Sequence, residues 1–291
     1  MTDKYAVIGN PISHSKSPQI HQMFAEQTEQ DISYEAILAP LNGFVATIDR
    51  LREEGYKGCS VTVPFKFEAY KLATPKKNKS FPARFAQSAN TLIFDVNKSL
   101  KINNTDGDGL IRDIRKNWAF KLKGKRVLLM GAGGAALGAF LPLIKSNASI
   151  IVVNRSVENA KIKTDNFVLF PDIPKSYLKK SKYTDNAKKE PQVIGYQSLL
   201  GHKFDLIINA TSSGLSDEMP PLPPTIFAPN ALAYDMMYGR ETPFMKFARD
   251  QGAQVADGLG MLVEQAAEAF YLWRGVRPDT AAVIAALRNS A

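Results

Sequence analysis

The chain is poor in the residues that form disulfides and zinc sites, because its 291 residues include one cysteine and three histidines. The single cysteine, Cys59, excludes an intramolecular disulfide and suits a reducing compartment. So few thiolate and imidazole ligands predict that no metal is bound. Cys59 could be a reactive thiol, but its position beside a predicted strand favours a packed, small apolar residue.

Long hydrophobic runs are also missing, and none could cross a bilayer, so we expect no membrane association. Residues 1–9 lead into a predicted strand and lack the basic, apolar and small-residue zones of a signal peptide, which predicts a cytoplasmic protein. Hydrophobic residues make up 45% and charged residues 22%, values typical of a globular protein. The length suits one large or two ordinary domains.

Acidic residues are outnumbered: 28 Asp and Glu stand against 37 Lys and Arg, which gives a net charge of +9. This charge predicts anionic partners, and nucleic acid is the first to consider. The lysines concentrate at Lys76, Lys77, Lys79 and in residues 175–189, where aromatic residues are sparse and no nucleic-acid motif occurs. We interpret both stretches as solvated loops and expect no nucleic acid. A phosphate-bearing cofactor and a carboxylate substrate would benefit from the same positive field.

Strand and helix patterns alternate along the chain, which predicts an α/β fold. The predicted strands are 5–9, 32–38, 58–63, 91–95, 100–103, 126–130, 149–154, 204–209 and 232–235. The predicted helices are 18–27, 44–54, 107–117, 135–145, 260–274 and 279–289. The series that begins at Lys125 has the strand–helix–strand order of a nucleotide-binding domain.

A glycine-rich turn follows the predicted strand 126–130, with the sequence Gly131-Ala132-Gly133-Gly134-Ala135-Ala136. The first glycine allows a tight turn, the second lets a pyrophosphate approach the backbone, and Ala136 takes the close-packing position. The exposed amides and the dipole of the following helix favour phosphate. A purely structural glycine turn is the alternative, but the position between strand and helix predicts a dinucleotide site.

The end of the next strand distinguishes between the two nicotinamide dinucleotides. Strand 149–154 runs into Asn154-Arg155-Ser156, with no carboxylate before Glu158. A carboxylate would repel a 2′-phosphate, whereas the planar guanidinium of Arg155 can bind one. The sequence therefore predicts NADP, with an ordinary surface arginine as the alternative.

The segment between the first strand and the first helix reads Asn10-Pro11-Ile12-Ser13-His14-Ser15-Lys16-Ser17-Pro18. Ser17 before Pro18 is typical of a helix N-cap. A helix start with spare hydroxyls also favours an anion, so Ser15 and Ser17 are candidates to bind a carboxylate. We interpret His14 and His21 as structural residues.

Two further runs each place one ionisable group where a predicted strand ends: Val63-Pro64-Phe65-Lys66 and Asn104-Thr105-Asp106-Gly107. Lys66 can give or take a proton, and Asp106 can hold and orient it. With a nicotinamide nearby, this pair predicts a dehydrogenase that acts on a hydroxyl group. For Asp106 the alternative is a helix N-cap, and it can do both.

These motifs, in this order, resemble the shikimate dehydrogenase family, whose members reduce 3-dehydroshikimate with NADPH in the shikimate pathway of aromatic amino acid biosynthesis. The likeness covers nearly the whole chain. It includes the runs above, Val61-Thr62 before Val63, residues 209–214, Tyr234-Asp235-Met236 and 257–263 with Gln265. Ser60, Ser88 and Asn103 depart from the residues common in the family, and we leave Ser60 out of the site.

The resemblance implies roles for individual residues. Lys66 and Asp106 would be the catalytic pair, Ser15 and Ser17 would hold the substrate carboxylate, and Tyr234 would lie near the substrate. Thr62, Asn90, Asp106 and Gln265 would bind the ring hydroxyls. Thr211, Ser212, Gly258 and Met261 would line the nicotinamide end, beyond the NADP residues of 131–135 and 154–156.

The resemblance also implies a Rossmann-like NADP domain of residues 106–257 and a discontinuous α/β substrate domain of residues 1–105 and 258–291, with a cleft between them. The protein would be a monomer or a homodimer. Two alternatives stay open: a relative of dual specificity that also oxidises quinate, and a non-catalytic sensor of NADP or shikimate. A lysine-rich insertion at about 164–190 could cover the adenine end or be a surface excursion.

Overall fold

The computed structural model describes residues 2–95, 99–161, 192–211 and 217–289. The chain divides into two compact units, Met1–Leu110 with Leu262–Ala291, and Ile111–Met261. The predicted domain bounds, 105/106 and 257/258, lie a few residues before those of the compact units. The insertion near 164–190 falls wholly outside the described residues.

The first unit contains a mixed five-stranded sheet. Its strands are β1 (Asp3–Gly9), β2 (Ile32–Leu38), β3 (Gly58–Val61), β4 (Thr91–Phe94) and β5 (Leu100–Asn103), in the order β2-β1-β3-β4-β5. The first three strands run parallel, and β4 and β5 pair antiparallel. The helices are α1 (Ser17–Thr28), α2 (Phe44–Glu53), α3 (Lys66–Leu72), α4 (Phe81–Ala86), α5 (Asp106–Arg112, which continues past residue 110), α8 (Leu259–Arg274, which begins before residue 262) and α9 (Thr280–Asn289).

The two faces of this sheet pack differently. One face carries a row of apolar residues, Ala6, Cys59, Leu92 and Ile102, which lie opposite one another on neighbouring strands and join a buried cluster with α2. The other face carries aromatic residues of β1 and β2 that pack on rings from α1 and α8. Cys59 is fully buried, and burial raises the pKa of its thiol, which confirms the packed interpretation.

The second unit contains a parallel six-stranded sheet. Its strands are β6 (Arg126–Met130), β7 (Ser149–Val153), β8 (Gln192–Ile194), β9 (Phe204–Asn209), β10 (Phe227–Asp235) and β11 (Gln254–Ala256), with helices α6 (Gly134–Lys145) and α7 (Pro243–Asp250). Read from the β8 edge the order is β8-β7-β6-β9-β10-β11. This is the Rossmann order 3-2-1-4-5-6, which reverses between β6 and β9. The predicted α/β fold with a Rossmann-like domain is therefore confirmed.

Three predicted elements differ from the observed ones, and the first is β10, which begins at Phe227, five residues before the strand predicted over 232–235. The helix predicted over 107–117 is α5 followed by a wider π-helical turn, Asp113–Asn117. The strand predicted over 58–63 ends at Val61, because the backbone turns at Thr62, whose carbonyl accepts from the Phe65 N–H at 3.0 Å. Among the helices of the described residues, none is long and apolar enough to span a membrane.

Candidate functional site

The centre of the site in the first unit is an ion pair between Lys66 and Asp106. Lys66 is the first residue of α3 and Asp106 the first of α5, so both follow strands of the same sheet. The Lys66 Nζ atom lies 2.6 Å from Asp106 Oδ2, and the two side chains are 20% and 6% exposed. A charge-assisted hydrogen bond this short fixes the amino group of Lys66, while part of the side-chain surface stays open.

Asn90 connects this pair to the residues around it. Its amide nitrogen lies 2.8 Å from Asp106 Oδ1, 2.9 Å from Thr105 Oγ1 and 3.1 Å from Gln265 Oε1. The side-chain carbonyl oxygen of Asn90 accepts from the Thr105 N–H at 2.9 Å and from the Thr91 hydroxyl. Asn90 is 2% exposed, so the network gives both ends of a buried amide their partners.

The alternative role of Asp106, a helix N-cap, is taken by its neighbour. The Asn104 side-chain oxygen accepts from the Asp106 N–H at 3.2 Å, while the carboxylate of Asp106 is used by Lys66 and Asn90. Thr105 is a member of the network that the sequence did not single out. Its place between Asn104 and Asp106 in the Asn-Thr-Asp run was the available signal.

The serines before α1 are arranged differently from the prediction. The N-cap position is Lys16, in helical conformation and without a side-chain cap, and Ser17 is the first helical residue. The prediction of Ser17 as N-cap is therefore wrong by one residue. Ser15 Oγ accepts from the Ser17 N–H at 3.3 Å, and Ser17 is 6% exposed. Two hydroxyls thus lie within three residues at the start of α1.

Thr62 lies half-buried where β3 ends, and it packs closely against β1. A Cβ atom on Gly9 would lie 2.4 Å from Thr62 Cγ2, so the approach of this threonine requires glycine at residue 9. The Thr62 N–H donates to the Ile8 carbonyl at 2.9 Å. Its side chain is therefore held at the end of the parallel strands, where ligands bind in α/β proteins.

The three departures from the family pattern all support neighbouring residues. Ser60 Oγ accepts from the Tyr34 hydroxyl at 2.9 Å, which holds Ser60 in the sheet. The Asn104 amide donates to Ser88, and Asn103 Oδ1 accepts from the Asn104 N–H at 2.7 Å. Ser88 and Asn103 therefore fix the loop that leads into Asp106.

The two histidines of the first unit differ in burial. His14 is exposed, whereas His21 is fully buried and stacks on Tyr34 with ring centroids 4.0 Å apart. Neither ring nitrogen of His21 has a hydrogen-bond partner, and burial lowers its pKa to about 3. The ring is therefore neutral, as expected of a structural residue.

The glycine-rich turn of the second unit lies at the switch point of the sheet, after β6. Gly131 has φ +101°, and a Cβ there would lie 3.1 Å from the Ala210 carbonyl oxygen, so both conformation and space require glycine. Gly133 is exposed with open space where a Cβ would be, and α6 begins without a side-chain cap. The first amides of a helix have no partner within the helix, and open space beside them fits a pyrophosphate.

The residues predicted to bind the 2′-phosphate follow β7 at the same edge of the sheet. Arg155 and Ser156 are exposed, and the Asn154 amide donates to the Ser156 carbonyl at 2.9 Å, which fixes the turn. Arg155 lies close enough to Tyr196 to lower the pKa of that phenol, against the larger effect of burial. An exposed guanidinium on an ordered turn fits a phosphate ligand.

The residues predicted to line the nicotinamide end lie just after β9 and at the start of α8. The Thr211 hydroxyl donates to Asn209 Oδ1 at 2.7 Å, and its methyl group lies 3.3 Å from the Cβ position of Gly131. Ser212 falls outside the described residues. Gly258 and Met261 are buried in the turn that begins α8.

The position of Tyr234 differs from the one that the family resemblance implies, which is near the substrate. Its side chain is fully buried in the second unit, and its hydroxyl donates to Asp113 Oδ2 at 2.6 Å. A tyrosine without exposed surface cannot contact a ligand in this conformation, so we do not carry it into the proposed substrate site.

Two family models match the chain. The shikimate dehydrogenase substrate binding domain matches residues 7–92, and the shikimate 5′-dehydrogenase C-terminal domain matches residues 258–288. The chain is 53% identical over 288 residues to a protein of Methylobacillus flagellatus named shikimate dehydrogenase (NADP(+)), with 98% of this chain and 99% of that protein covered.

Solved structures are similar over nearly the whole chain. An Ael1 enzyme from Pseudomonas putida is 42% identical, with a TM-score of 0.84 and 98% of each chain covered. Shikimate 5-dehydrogenase from Thermus thermophilus, solved in complex with NADP(H) and shikimate, is 28% identical, with a TM-score of 0.82 and 100% of each chain covered. The resemblance predicted from the motifs is confirmed, and the chain belongs to the shikimate dehydrogenase family.

Proposed function

We propose that this protein catalyses the reversible, NADPH-dependent reduction of 3-dehydroshikimate to shikimate, as an oxidoreductase acting on a CH–OH group. Its relatives across the full length are NADP-dependent shikimate dehydrogenases by name. The observation within this chain that carries the proposal is the 2.6 Å pair of Lys66 and Asp106 inside the Asn90 network. A sensor of substrate or cofactor would not need an acid/base pair.

Lys66 is the proposed proton carrier. In the direction of reduction, its ammonium group donates a proton to the carbonyl oxygen of the substrate, and in oxidation the neutral amine takes the proton of the hydroxyl. Asp106 orients the amine, since its Oδ2 accepts from Nζ while its Oδ1 is held by Asn90. A proton carrier must lie within hydrogen-bond reach of the reacting oxygen. The partly open surface of Lys66 allows this approach.

The substrate-binding residues proposed here are Ser15, Ser17, Thr62, Asn90 and Gln265, with Asp106. The hydroxyls of Ser15 and Ser17 would bind the carboxylate. The amide groups of Asn90 and Gln265 lie beside Asp106 and can donate to or accept from ring hydroxyls. Each buried polar group that a substrate hydroxyl satisfies gives strong discrimination against analogues that lack this hydroxyl.

The second unit carries the proposed NADP site. Residues 131–135 would hold the pyrophosphate through backbone amides, and Asn154, Arg155 and Ser156 the 2′-phosphate. Thr211, Ser212, Gly258 and Met261 would lie at the nicotinamide end. When bound, the nicotinamide supplies or accepts the hydride. Residues 106–257 would thus form the NADP domain, and residues 1–105 with 258–291 the substrate domain.

We also propose that the protein is a cytoplasmic monomer or homodimer that binds no nucleic acid. Size-exclusion chromatography with light scattering measures the oligomeric state directly.

Initial rates of nicotinamide reduction, with shikimate or quinate and with NADP⁺ or NAD⁺, test the proposed function. We expect strong activity with shikimate and NADP⁺ alone. A preference for quinate or NAD⁺ would instead assign the protein to a relative of dual specificity. Folded protein that binds NADP⁺ but is inactive in all four combinations would contradict the enzymatic function.

A further inference from the structure

A buried polar pair in the second unit lies outside the proposed catalytic and binding residues. Tyr234, near the end of β10, and Asp113, in the π-helical turn, are 0% and 1% exposed. The Tyr234 hydroxyl donates to Asp113 Oδ2 at 2.6 Å, and Asn117 donates to the other carboxylate oxygen at 2.8 Å. Burial, followed by the nearby Asp113 carboxylate, raises the pKa of Tyr234, so the phenol remains a donor.

This pair contacts the start of α8. The Met261 backbone N–H lies close enough to the Tyr234 hydroxyl to lower the pKa of the phenol, against the larger effect of burial, while that hydroxyl donates to Asp113. The first N–H groups of a helix have no partner within the helix, and burial without a partner is costly. Tyr234 places its hydroxyl beside one of these N–H groups, and Asp113 holds that hydroxyl in place.

Two glycines bring the backbone of this turn close to the pair. A Cβ on Gly260 would lie 2.0 Å from Asp113 Oδ1, and a Cβ on Gly258 would lie 2.2 Å from the Met236 carbonyl oxygen. The Gly258 N–H also donates to the Met237 carbonyl at 2.8 Å. The turn 257–261 is thus held on one side by the end of β10 and on the other by a buried carboxylate.

We infer that Tyr234 and Asp113 are positioning residues that fix the turn 257–261 and, through Gly258 and Met261, the nicotinamide end of the cofactor site. The inference rests on the proposed function, which places those two residues beside the nicotinamide. Well-packed apolar residues would stabilise the interior at least as well as a buried polar pair. A directional hydrogen bond that holds a carboxylate against the backbone of Gly260 is what an apolar pair could not supply.

The conservative variant Tyr234→Phe tests this inference, because it keeps the ring and removes the hydroxyl that donates to Asp113 and lies beside the Met261 N–H. We expect kcat for shikimate oxidation to fall about 10- to 100-fold, since a misplacement of about 1 Å at a reacting group can cost about 10²-fold. The Kd for NADP⁺ should change by less than about threefold, because Arg155 and its charge-assisted contacts are untouched. The Kd for shikimate, measured without cofactor, should stay the same.

The matched control is Phe227→Leu, a core substitution in the same strand that lowers the melting temperature without touching the turn. We expect its kcat to match the wild type at a temperature where both are folded. If Tyr234→Phe behaves like this control, the pair is only structural and the inference is wrong. A second variant, Gly260→Ala, forces a methyl group against Asp113 and should lower kcat in the same way.

A binding measurement separates this inference from the proposed function. The fluorescence of bound NADPH reports the surroundings of its nicotinamide and needs no turnover. Tyr234→Phe should change the emission of bound NADPH relative to the wild type, while Phe227→Leu should not. An unchanged emission would overturn the inference even if the wild type oxidises shikimate. A changed emission in a protein inactive on shikimate would support the positioning role and contradict the proposed function alone.

Discussion

Replacing Lys66 by methionine removes the proposed proton carrier and keeps most of the side-chain volume. Asp106 then loses the partner at 2.6 Å but keeps the Asn90 amide at 2.8 Å, so the rest of the network has hydrogen-bond partners. Loss of a general acid/base typically lowers turnover about 10²- to 10⁴-fold. This corresponds to about 2.7–5.4 kcal/mol of activation free energy.

The loss should appear almost entirely in kcat, because the proposed substrate contacts of Ser15, Ser17 and Gln265 are unchanged. Water can replace the amine only through the partly open surface of the side chain, which is 20% exposed in the wild type. Steady-state kinetics with shikimate and NADP⁺ give kcat and KM separately. A single-turnover experiment then shows whether the chemical step is the one that slows.

Lys71→Met is the matched control, since Lys71 is an exposed lysine of the same helix. We expect its kinetics to equal those of the wild type. A large increase in KM with kcat intact in Lys66→Met would make Lys66 a binding residue. A kcat within about threefold of the wild type, far from the loss typical of a general acid/base, would refute the assignment.

Three further predictions concern the cofactor, the buried histidine and the amide at the centre of the site. Arg155→Ala should weaken NADP⁺ binding about 10- to 150-fold in calorimetry and NAD⁺ binding far less, because a charge-assisted hydrogen bond contributes about 1.5–3 kcal/mol; equal losses would exclude a 2′-phosphate contact. His21 has a pKa near 6.5 in the unfolded chain and about 3 in the folded protein. Between these values only the unfolded chain binds the proton, so the free energy of unfolding decreases as the pH is lowered from 6.5 towards 3. Urea denaturation at pH 7 and pH 5 should show about 2 kcal/mol of loss that His21→Phe abolishes, and an equal loss in the variant would contradict it. Asn90→Leu should lower the free energy of unfolding by about 2–4 kcal/mol, because the Thr105 N–H and Asp106 lose buried partners; a stability equal to wild type would contradict the network.

The elements and the cofactor turn could be predicted because their signals are local. Alternating apolar patterns and turn residues indicate most of the longer strands and helices within a few residues of their observed bounds, whereas the short elements α3, α4, α7, β8 and β11 were not predicted. The Gly131–Ala136 run is a local motif as well. The N-cap prediction at Ser17 was wrong because Lys16 takes helical backbone angles, φ −83° and ψ −3°, where an N-cap residue usually is extended.

The long-range contacts could not be predicted in this way. Asn90 reaches Gln265 across 175 residues, and Tyr234 reaches Asp113 across 121. No periodicity in the sequence indicates which buried side chain lies opposite which, because the topology of the sheet decides it. The family resemblance suggested that Tyr234 lies near the substrate, and only the packing of β10 against the π-helical turn shows its hydroxyl directed to Asp113.

The most direct test of the account uses shikimate deuterated at the carbon that bears the reacting hydroxyl, with NADP⁺ as cofactor. We predict that the deuterium is transferred to the cofactor and that the reduced cofactor is therefore one mass unit heavier. Lys66→Met should slow this transfer while shikimate still binds. Reduced cofactor without deuterium, or transfer at the wild-type rate in Lys66→Met, would contradict a hydride transfer assisted by Lys66.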